Sequence, residues 1–504
     1  MDTLTPTHTA ATAGSYRPAL HYTAQDTWLN DPNGLIFHEG VYHLYYQNNP
    51  LGNVWGNMSW GHATSTDLLT WTEHPVAIAC DENEDIFSGS IVYDRHNTSG
   101  FGTGSVAPLV AIYTSAFKPG SAHEGIQAQS LAYSLDGGYT WTKHKGNPVL
   151  NRGSAEFRDP KVFRYDGDAG SYWVMVAVEA TDFQVVLYKS EDLKDWELLS
   201  TFGPANATGG VWECPDLFPL PVDGDPENLK WVLTVNLNPG GPNNGSAGQY
   251  FIGHFDGTTF VSASTVTEGT QDPDRLAEYL WLDWGRDYYA AVSFSDAPDN
   301  RRLMIGWMNN WEYANHIPTT PWRSPMSLAR EISLQTRDGK LCLVQQPAGD
   351  WAAVAGQEPF SLSGATHEGV QVLAGAAGTV QRIDVSFTPG SAEEFGLVLR
   401  GDGANGTRVG IRPDEGTLLM DRRESGRTDF HASFASIDTA PVPAKQGTYD
   451  LTIFVDRCSA EVFAQGGQVT MTELIFPAES STDLSVYAVG GTATISSIQV
   501  TQLA

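Results

Sequence analysis

The chain has 504 residues, of which 41% are hydrophobic and 17% charged, and it contains 51 glycines and 28 prolines. This length exceeds what one hydrophobic core usually serves, so we expect at least two domains, and the abundance of turn formers and aromatic residues favours β-structure. The net charge of −30 repels phosphate backbones and anionic lipids, which argues against nucleic acid and membranes as partners.

The beginning of the chain and its cysteines indicate little specialised chemistry. Residues 1–15 form a predicted tail that is rich in Thr and Ala and lacks the basic and apolar regions of a signal peptide. We expect an extracellular protein whose signal has been removed, with a cytoplasmic protein as the alternative. Four scattered cysteines, without a C-x-x-C pair, indicate neither a zinc site nor a dense disulfide framework. The sequence does not indicate the oligomeric state.

Short β-branched and aromatic runs bounded by Gly, Pro, Asn and Asp predict strands through residues 16–340. The clearest runs are Val41–Tyr46, Leu109–Tyr113, Trp173–Val178, Trp231–Asn236 and Leu303–Trp307. A Ser-x-Asp turn followed by Trp recurs, beginning at Ser65, Ser134 and Ser190, and a degenerate copy surrounds Asp256. Repeated four-stranded units of this kind predict the blades of a β-propeller.

The composition changes after residue 352, where Trp becomes rare and Ala, Gly, Ser, Val and Thr dominate. Strand-like runs continue at Gln381–Phe387, Glu394–Leu399, Thr448–Phe454, Ser459–Phe463 and Ser485–Val489. These features predict a second all-β domain, a sandwich, at 357–504. The stretch 341–356, which contains Pro347 and two glycines, is the predicted linker.

Three carboxylates stand in unusual contexts beside aromatic residues and prolines. They are Asp31, Asp159 and Glu213. Taken singly, each has an ordinary structural explanation, because Asp-Pro is common in turns. Together with the Phe87-Ser88-Gly89 segment, counted from Phe87, and with Asp283, they recur at intervals of 54 to 72 residues. If each position belongs to one blade, the count is five, and their side chains converge near a central axis.

Converging carboxylates are what glycoside hydrolysis requires, because one attacks the anomeric carbon and another protonates the leaving oxygen. Trp28, Trp55, Trp212 and Trp307 could supply apolar faces for a sugar ring. A Gly-rich phosphate loop followed by Lys and a G-x-S-x-G nucleophile turn are both missing from the sequence.

Four motifs in this order resemble glycoside hydrolase family 32, the invertases, exo-inulinases and levanases. They are Trp28–Gly34, Phe87-Ser88-Gly89, Arg158-Asp159-Pro160 and Glu213-Cys214-Pro215, and the later segment Asp456–Phe463 looks like the family's C-terminal domain. The resemblance implies an all-β fold with an N-terminal five-bladed β-propeller followed by a C-terminal β-sandwich. It also implies that Asp31 is the nucleophile, Glu213 the general acid/base and Asp159 the stabiliser of the transition state.

The same resemblance implies a pocket for one terminal fructose, with no metal and no cofactor. The expected substrate-binding residues are Asn30, Gln47, Trp55, Phe87, Ser88, Arg158 and Trp307. The expected activity is retaining, exo-acting hydrolysis of β-fructofuranosides such as sucrose, inulin or levan, among which the sequence does not choose. A fructosyltransferase using the same covalent intermediate and a non-catalytic fructan-binding protein are the alternatives.

Overall fold

A computed structural model describes residues 16–167, 170–263, 268–356, 358–403 and 405–503, so the predicted tail lies outside the described residues. Within these ranges the chain is almost entirely β-strand, which confirms the expected all-β class. The helical segments described are short 3-10 turns at Ala180–Asp182, Pro273–Glu278, Pro298–Asn300 and Ala314–His316. None of the helices in the described part is long and apolar enough to cross a membrane.

The first twenty described strands form five antiparallel four-stranded blades, in chain order, and the last two blades are joined by a parallel pairing of Val222 with Leu334. Blade one is β1 (Trp28–His38), β2 (Val41–Asn49), β3 (Ser59–Ser65) and β4 (Thr72–Ile78); blade two is β5 (Glu84–Tyr93), β6 (Leu109–Phe117), β7 (Gln127–Ser134) and β8 (Thr142–Lys143); blade three is β9 (Phe157–Gly167), β10 (Gly170–Glu179), β11 (Gln184–Ser190) and β12 (Glu197–Phe202); blade four is β13 (Val211–Val222), β14 (Asp225–Asn238), β15 (Ala247–Phe255) and β16 (Phe260–Ser262); blade five is β17 (Tyr289–Ser293), β18 (Leu303–Trp307), β19 (Arg330–Arg337) and β20 (Lys340–Pro347). The five-bladed propeller is therefore confirmed.

The predicted strand runs fall on the second strand of each blade, which is buried between its neighbours. The recurring Asp residues form the turn between the third and fourth strands. In the first copy, Oδ1 of Asp67 accepts hydrogen bonds from the backbone N–H groups of Leu69 and Thr70 at 2.8 and 2.7 Å. The repeat therefore works as a local hydrogen-bonded turn that returns the chain to the blade edge.

The first strand of each blade lies innermost, and these strands contact one another in a ring: β1 with β5, β5 with β9, β9 with β13, β13 with β17, and β17 with β1. Blade one consists of β1–β4 and blade five of β17–β20, so the two ends of the ring do not share a blade. Their seam is joined by backbone hydrogen bonds, from the N–H of Leu29 to the carbonyl of Arg323 at 3.1 Å and from the N–H of Ser295 to that of Leu35 at 2.8 Å.

The C-terminal domain is a β-sandwich whose two layers share one long strand. Its strands are β21 (Phe360–Val372), β22 (Gln381–Pro389), β23 (Glu394–Gly401), β24 (Thr407–Arg412), β25 (Thr417–Asp421), β26 (Ile437–Pro441), β27 (Tyr449–Asp456), β28 (Ser459–Ala464), β29 (Val469–Leu474) and β30 (Asp483–Gln502). The early part of β30 pairs with β23 and its later part with β22. Alternating apolar side chains from both layers fill the core between them.

The predicted linker, 341–356, overlaps with the propeller. Residues 341–347 belong to β20, which pairs with β19 along its whole length, and Leu343 and Val344 are buried. The Pro and Gly residues that suggested a linker lie at the end of this strand and after it.

Buried charged groups hold the two domains and the start of the described chain together. Nδ1 and Nε2 of His21 lie 2.8 Å from Asp456 and 2.9 Å from Glu461, two carboxylates of the sandwich. Arg330 of blade five bonds Glu461 at 2.5 Å and Asp283 at 2.8 Å. All five side chains are buried to within 1% exposure, so this junction excludes solvent.

Candidate active site

All five innermost strands carry a β-bulge near their beginning. In each blade, two residues of the first strand lie opposite one residue of the second, between Leu29 and Pro32, Ile86 and Gly89, Arg158 and Lys161, Glu213 and Asp216, and Tyr289 and Val292. A bulge interrupts the hydrogen-bonded ladder and re-aims the side chains beside it. Asp159 and Cys214 accordingly adopt positive φ angles of 62° and 45°. The repeated bulge turns side chains toward one end of the propeller axis.

Asp31 is held by two hydrogen-bond donors. Oδ2 accepts from the hydroxyl of Ser88 at 2.7 Å, and Oδ1 accepts from the amide of Asn30 at 3.0 Å. Asn30 is fixed in turn, because its Oδ1 accepts from Nε1 of buried Trp28 at 2.7 Å. Burial and the nearby charge of Glu213 raise the pKa of Asp31, while the two donors oppose that rise by favouring the ionised carboxylate.

Glu213 lies between a cation and a phenol. Its Oε1 accepts from Nε of Arg158 at 3.1 Å, and its Oε2 accepts from the hydroxyl of Tyr289 at 2.5 Å. Burial and the charge of Glu213 raise the pKa of Tyr289 well above its ordinary value, so this phenol stays neutral and keeps its proton. Arg158 is itself positioned by Glu156, whose Oε2 accepts from Nη1 at 2.7 Å.

Asp159 lies deepest in the group. Its Oδ2 accepts from the backbone N–H of Cys214 at 2.9 Å, and Sγ of Cys214 lies 3.6 Å from Oδ2 of both Asp159 and Asp31. Burial and then Glu213 raise the pKa of Asp159, whereas the Arg158 guanidinium opposes the rise. Close, buried carboxylates of this kind resist simultaneous ionisation.

These residues line one cavity of about 390 Å³. Its lining residues are Asn30, Asp31, Gln47, Trp55, Phe87, Ser88, Gln127, Glu156, Arg158, Asp159, Glu213 and Trp311. The structure therefore brings together the three carboxylates and every predicted pocket residue except Trp307. Within the described residues, no group of three or more His, Cys, Asp or Glu side chains is placed to hold a metal ion.

Trp307, which was predicted to bind substrate, does not line the cavity. Trp307 is fully buried and lies behind the cavity, with its ring centroid 4.8 Å from that of Trp311 and 6.0 Å from that of Trp28. Trp28 and Trp212 are also fully buried. Trp311, four residues after Trp307, lines the cavity instead, because it follows the end of β18 whereas Trp307 lies within the strand.

The fifth blade also departs from the sequence prediction. Asp283 lies at the junction with the sandwich, where it bonds Arg330 and the hydroxyl of Thr472 at 2.9 Å. Tyr289 directly precedes the bulge in this blade, as Glu213 does in blade four, and its hydroxyl reaches Glu213. The β-branched and aromatic run Tyr289–Ser293 indicates a strand in the sequence, but a tyrosine carries no carboxylate signal that would mark it as a site residue.

Comparison with known proteins agrees with this geometry. Residues 21–347 match the N-terminal domain of glycosyl hydrolases family 32, and residues 355–502 match the C-terminal domain of that family. The chain belongs to glycosyl hydrolase family 32. It is therefore a glycoside hydrolase, as the motifs predicted.

Relatives of this family 32 enzyme match along nearly its whole length. A levanase of Bacillus subtilis is 45% identical, over 96% of this chain and 70% of its own length. An extracellular exo-inulinase of Aspergillus ficuum is 43% identical, over 94% and 92% of the two chains. The crystal structure of an exo-inulinase from Aspergillus awamori superimposes with a TM-score of 0.91 at 41% identity, covering 97% of this chain and 98% of its own.

A second solved structure shows a relative with a bound sugar derivative. It is a β-fructofuranosidase from Schwanniomyces occidentalis complexed with fructosyl-erythritol, with a TM-score of 0.86 and 31% identity over 97% of this chain and 98% of its own. The family and the propeller-plus-sandwich fold thus rest on sequence and structure together.

Proposed function

We propose that this family 32 enzyme is a retaining, exo-acting β-fructofuranosidase that removes terminal non-reducing fructose from sucrose or from inulin- and levan-type fructans. The observation that carries the proposal is the convergence of Asp31, Asp159 and Glu213 on one cavity at the end of the propeller axis. Relatives named levanase and exo-inulinase support this substrate class.

In the first step, Asp31 attacks C2 of the fructosyl unit while Glu213 protonates the leaving oxygen, which gives a covalent fructosyl-enzyme. The hydroxyl of Ser88 and the amide of Asn30 orient the attacking carboxylate. Because they donate to the ionised form, they favour the nucleophilic state despite burial.

In the second step, Glu213 removes a proton from water, and the resulting nucleophile releases fructose from Asp31 with net retention. Glu213 must therefore gain and lose a proton in each cycle. Tyr289 suits this alternation, since a phenol donates to an ionised carboxylate and accepts from a protonated one. Arg158 positions the carboxyl group through its hydrogen bond to Oε1.

Asp159 is proposed to hold fructose hydroxyls and stabilise the transition state. As positive charge develops on the sugar ring, an adjacent buried carboxylate stabilises it more than the neutral ground state. The rings of Trp55 and Phe87, edge to face at 6.1 Å, form an apolar wall beside the sugar.

Relatives named exo-inulinases support exo attack, and the cavity of about 390 Å³ lies within the roughly 300–1,000 Å³ range of ligand pockets. Trp55, which is 46% exposed, offers a surface for the remainder of the substrate at the mouth. We also propose an extracellular location, which is supported by relatives named extracellular exo-inulinases.

The test compares sugar release from sucrose, inulin and levan by the unaltered enzyme and by Asp31→Asn and Glu213→Gln variants. Free fructose from the first minutes, without intermediate-length oligosaccharides from inulin or levan, is the expected result. Each variant should lose on the order of a thousandfold or more in kcat. Glu227→Gln, an exposed carboxylate substitution on β14, is the matched control and should retain full activity.

The other outcomes separate the alternatives. Glucose release from sucrose with fructose appearing in longer oligosaccharides identifies a fructosyltransferase. Binding of fructans without release of any sugar identifies a binding protein and overturns the proposed activity. First-formed α-fructose rather than β-fructose, detected by NMR before mutarotation, contradicts the retaining mechanism.

A further inference from the structure

A second and larger cavity, of about 770 Å³, lies between blades two to five. It is lined by later residues of the innermost strands, such as Tyr93 of β5, Arg164 of β9 and Phe218 of β13. The catalytic cavity uses the first residues of the same strands, so the two cavities lie toward opposite ends of the propeller axis. The catalytic mechanism uses none of the residues that line this second cavity.

Basic side chains gather in this cavity although the chain has 29 Lys and Arg against 59 Asp and Glu. Three of them, Lys161, Arg164 and Arg302, are buried or half-buried around it. Arg95 is a fourth at the rim, with its side chain 59% exposed. Because isolated buried cations are costly, their convergence calls for compensating negative charge.

Three carboxylates line the cavity, but they do not fully compensate the positive charge of the four basic side chains. Asp216 is buried and already accepts the N–H and hydroxyl of Ser293 at 2.8 and 2.7 Å, with Lys161 at 3.5 Å. Asp296 pairs with Arg95 at 3.4 Å in the solvent-exposed rim. The third acid, Asp166, has a mostly exposed side chain.

Both inner guanidiniums have spare donor capacity. Arg164 lies 3.8 Å from Asp166, whose side chain is 68% exposed, and its Nη1 is buried without a hydrogen-bond partner among the described residues. Arg302 donates from Nη1 to the hydroxyl of Ser293 at 3.2 Å. Burial lowers the pKa of Arg302, against the attraction of Asp216, as expected for a cation whose charge is not fully compensated.

Aromatic rings fix the direction of these guanidiniums. Arg164 stacks over Trp173 at 5.3 Å and Arg302 over Phe218 at 4.8 Å. A stacked guanidinium keeps its N–H donors at its edge, where they suit the oxygens of a phosphate or carboxylate. The cavity thus combines oriented donors, apolar walls and a volume within the range of small-molecule sites.

We propose that this second cavity is a binding site for a small oxyanion-bearing molecule, a phosphorylated or carboxylated compound whose anionic group bridges Arg164 and Arg302. The aromatic walls contact the remainder of the molecule. The site is independent of the fructosidase activity, because its lining residues and those of the catalytic cavity are different sets.

The test is isothermal titration of the purified full chain with inorganic phosphate, citrate and glucose 6-phosphate, with glucose as the neutral control. Saturating fructose is present throughout to fill the catalytic cavity. We expect at least one of the three anions to bind at millimolar or better affinity, with no heat from glucose. Stronger binding of glucose 6-phosphate than of phosphate indicates a phosphorylated ligand, and stronger binding of citrate indicates a carboxylated one.

Arg164→Gln and Arg302→Gln should each weaken anion binding about tenfold or more, the loss expected for one charge-assisted contact. Arg423→Gln, at an exposed arginine of the sandwich, is the matched control and should bind like the unaltered chain. Sucrose hydrolysis by each variant verifies folding, and Arg164→Met provides a second test if Arg302→Gln fails to fold. Absence of anion binding by the unaltered chain, or binding that survives the Arg164 and Arg302 substitutions, overturns the proposal.

Discussion

The stability of the domain junction should depend on the protonation of His21. Burial by itself lowers the pKa of this imidazole, but the adjacent Asp456 and Glu461 outweigh burial and raise it to about 9, from an ordinary value of 6.5. A raised folded-state pKa means that the native protein binds the proton more tightly than the unfolded chain does. The stabilisation is therefore complete below about pH 6.5 and is lost as the pH rises through about 9.

The size of this effect follows from the shift. Each pH unit between the unfolded and folded pKa values contributes about 1.4 kcal/mol for one proton, so His21 should contribute roughly 3 kcal/mol to the free energy of unfolding. This is a substantial fraction of the roughly 5–15 kcal/mol typical of folded domains. Loss of the charge leaves two buried carboxylates facing a neutral ring.

The assay is chemical denaturation followed by tryptophan fluorescence from about pH 6 to about pH 10, for the unaltered protein, His21→Gln and the control His254→Gln. His254 is exposed on blade four, so its variant should follow the unaltered protein. His21→Gln should be several kcal/mol less stable near pH 6, and its deficit should shrink by about 1.4 kcal/mol per pH unit as the pH rises from about 6.5 to about 9. A deficit that stays constant over this range would refute the assignment of a charged His21.

Three further predictions concern the active site. Tyr289→Phe should lower kcat about tenfold or more with little change in KM, because it removes a hydrogen bond to Glu213 that assists proton transfer; an unchanged kcat in steady-state assays would count against the role proposed for the phenol. Trp55→Ala should raise KM for inulin more than for sucrose, because its exposed ring is placed to contact the longer substrate, and equal effects on both would contradict that placement. Gly89→Ala should lower the melting temperature and the activity together, because a Cβ there would lie 2.0 Å from the carbonyl oxygen of Ile112; an unchanged melting temperature would show that β5 and β6 separate at little cost.

Local sequence signals predicted much of the fold. The second strand of each blade is a short run of β-branched and aromatic residues, and Asp67 and its counterparts build a turn from hydrogen bonds within five residues. Such features are readable because their partners are close in the chain. The order of the blades and the position of Asp31, Asp159 and Glu213 near the start of their strands then followed from the repeat.

Features that depend on register or on distant partners were not readable in this way. Trp307 and Trp311 are four residues apart and chemically identical, and only the end of β18 decides which one reaches the cavity. Asp283 and Tyr289 are six positions apart. The bulge in β17 directly follows Tyr289, and it is the tyrosine that reaches the active site. His21 meets its carboxylate partners across more than 400 residues, a separation over which no local pattern carries information.

The C-terminal sandwich contacts both sides of the seam between blade one and blade five. Each end of the ring finishes its own blade, and the two ends meet through backbone hydrogen bonds and a shared apolar cluster that includes Trp28 and Leu29 of blade one and Trp307 of blade five. His21, in the segment leading into blade one, pairs with Asp456 and Glu461 of the sandwich. Arg330 of blade five pairs with the same Glu461. The second domain thus connects the two ends of the ring through buried ion pairs. Because Asp31 lies on β1, one of the strands at this seam, we expect substitutions that break these ion pairs to lower activity as well as stability.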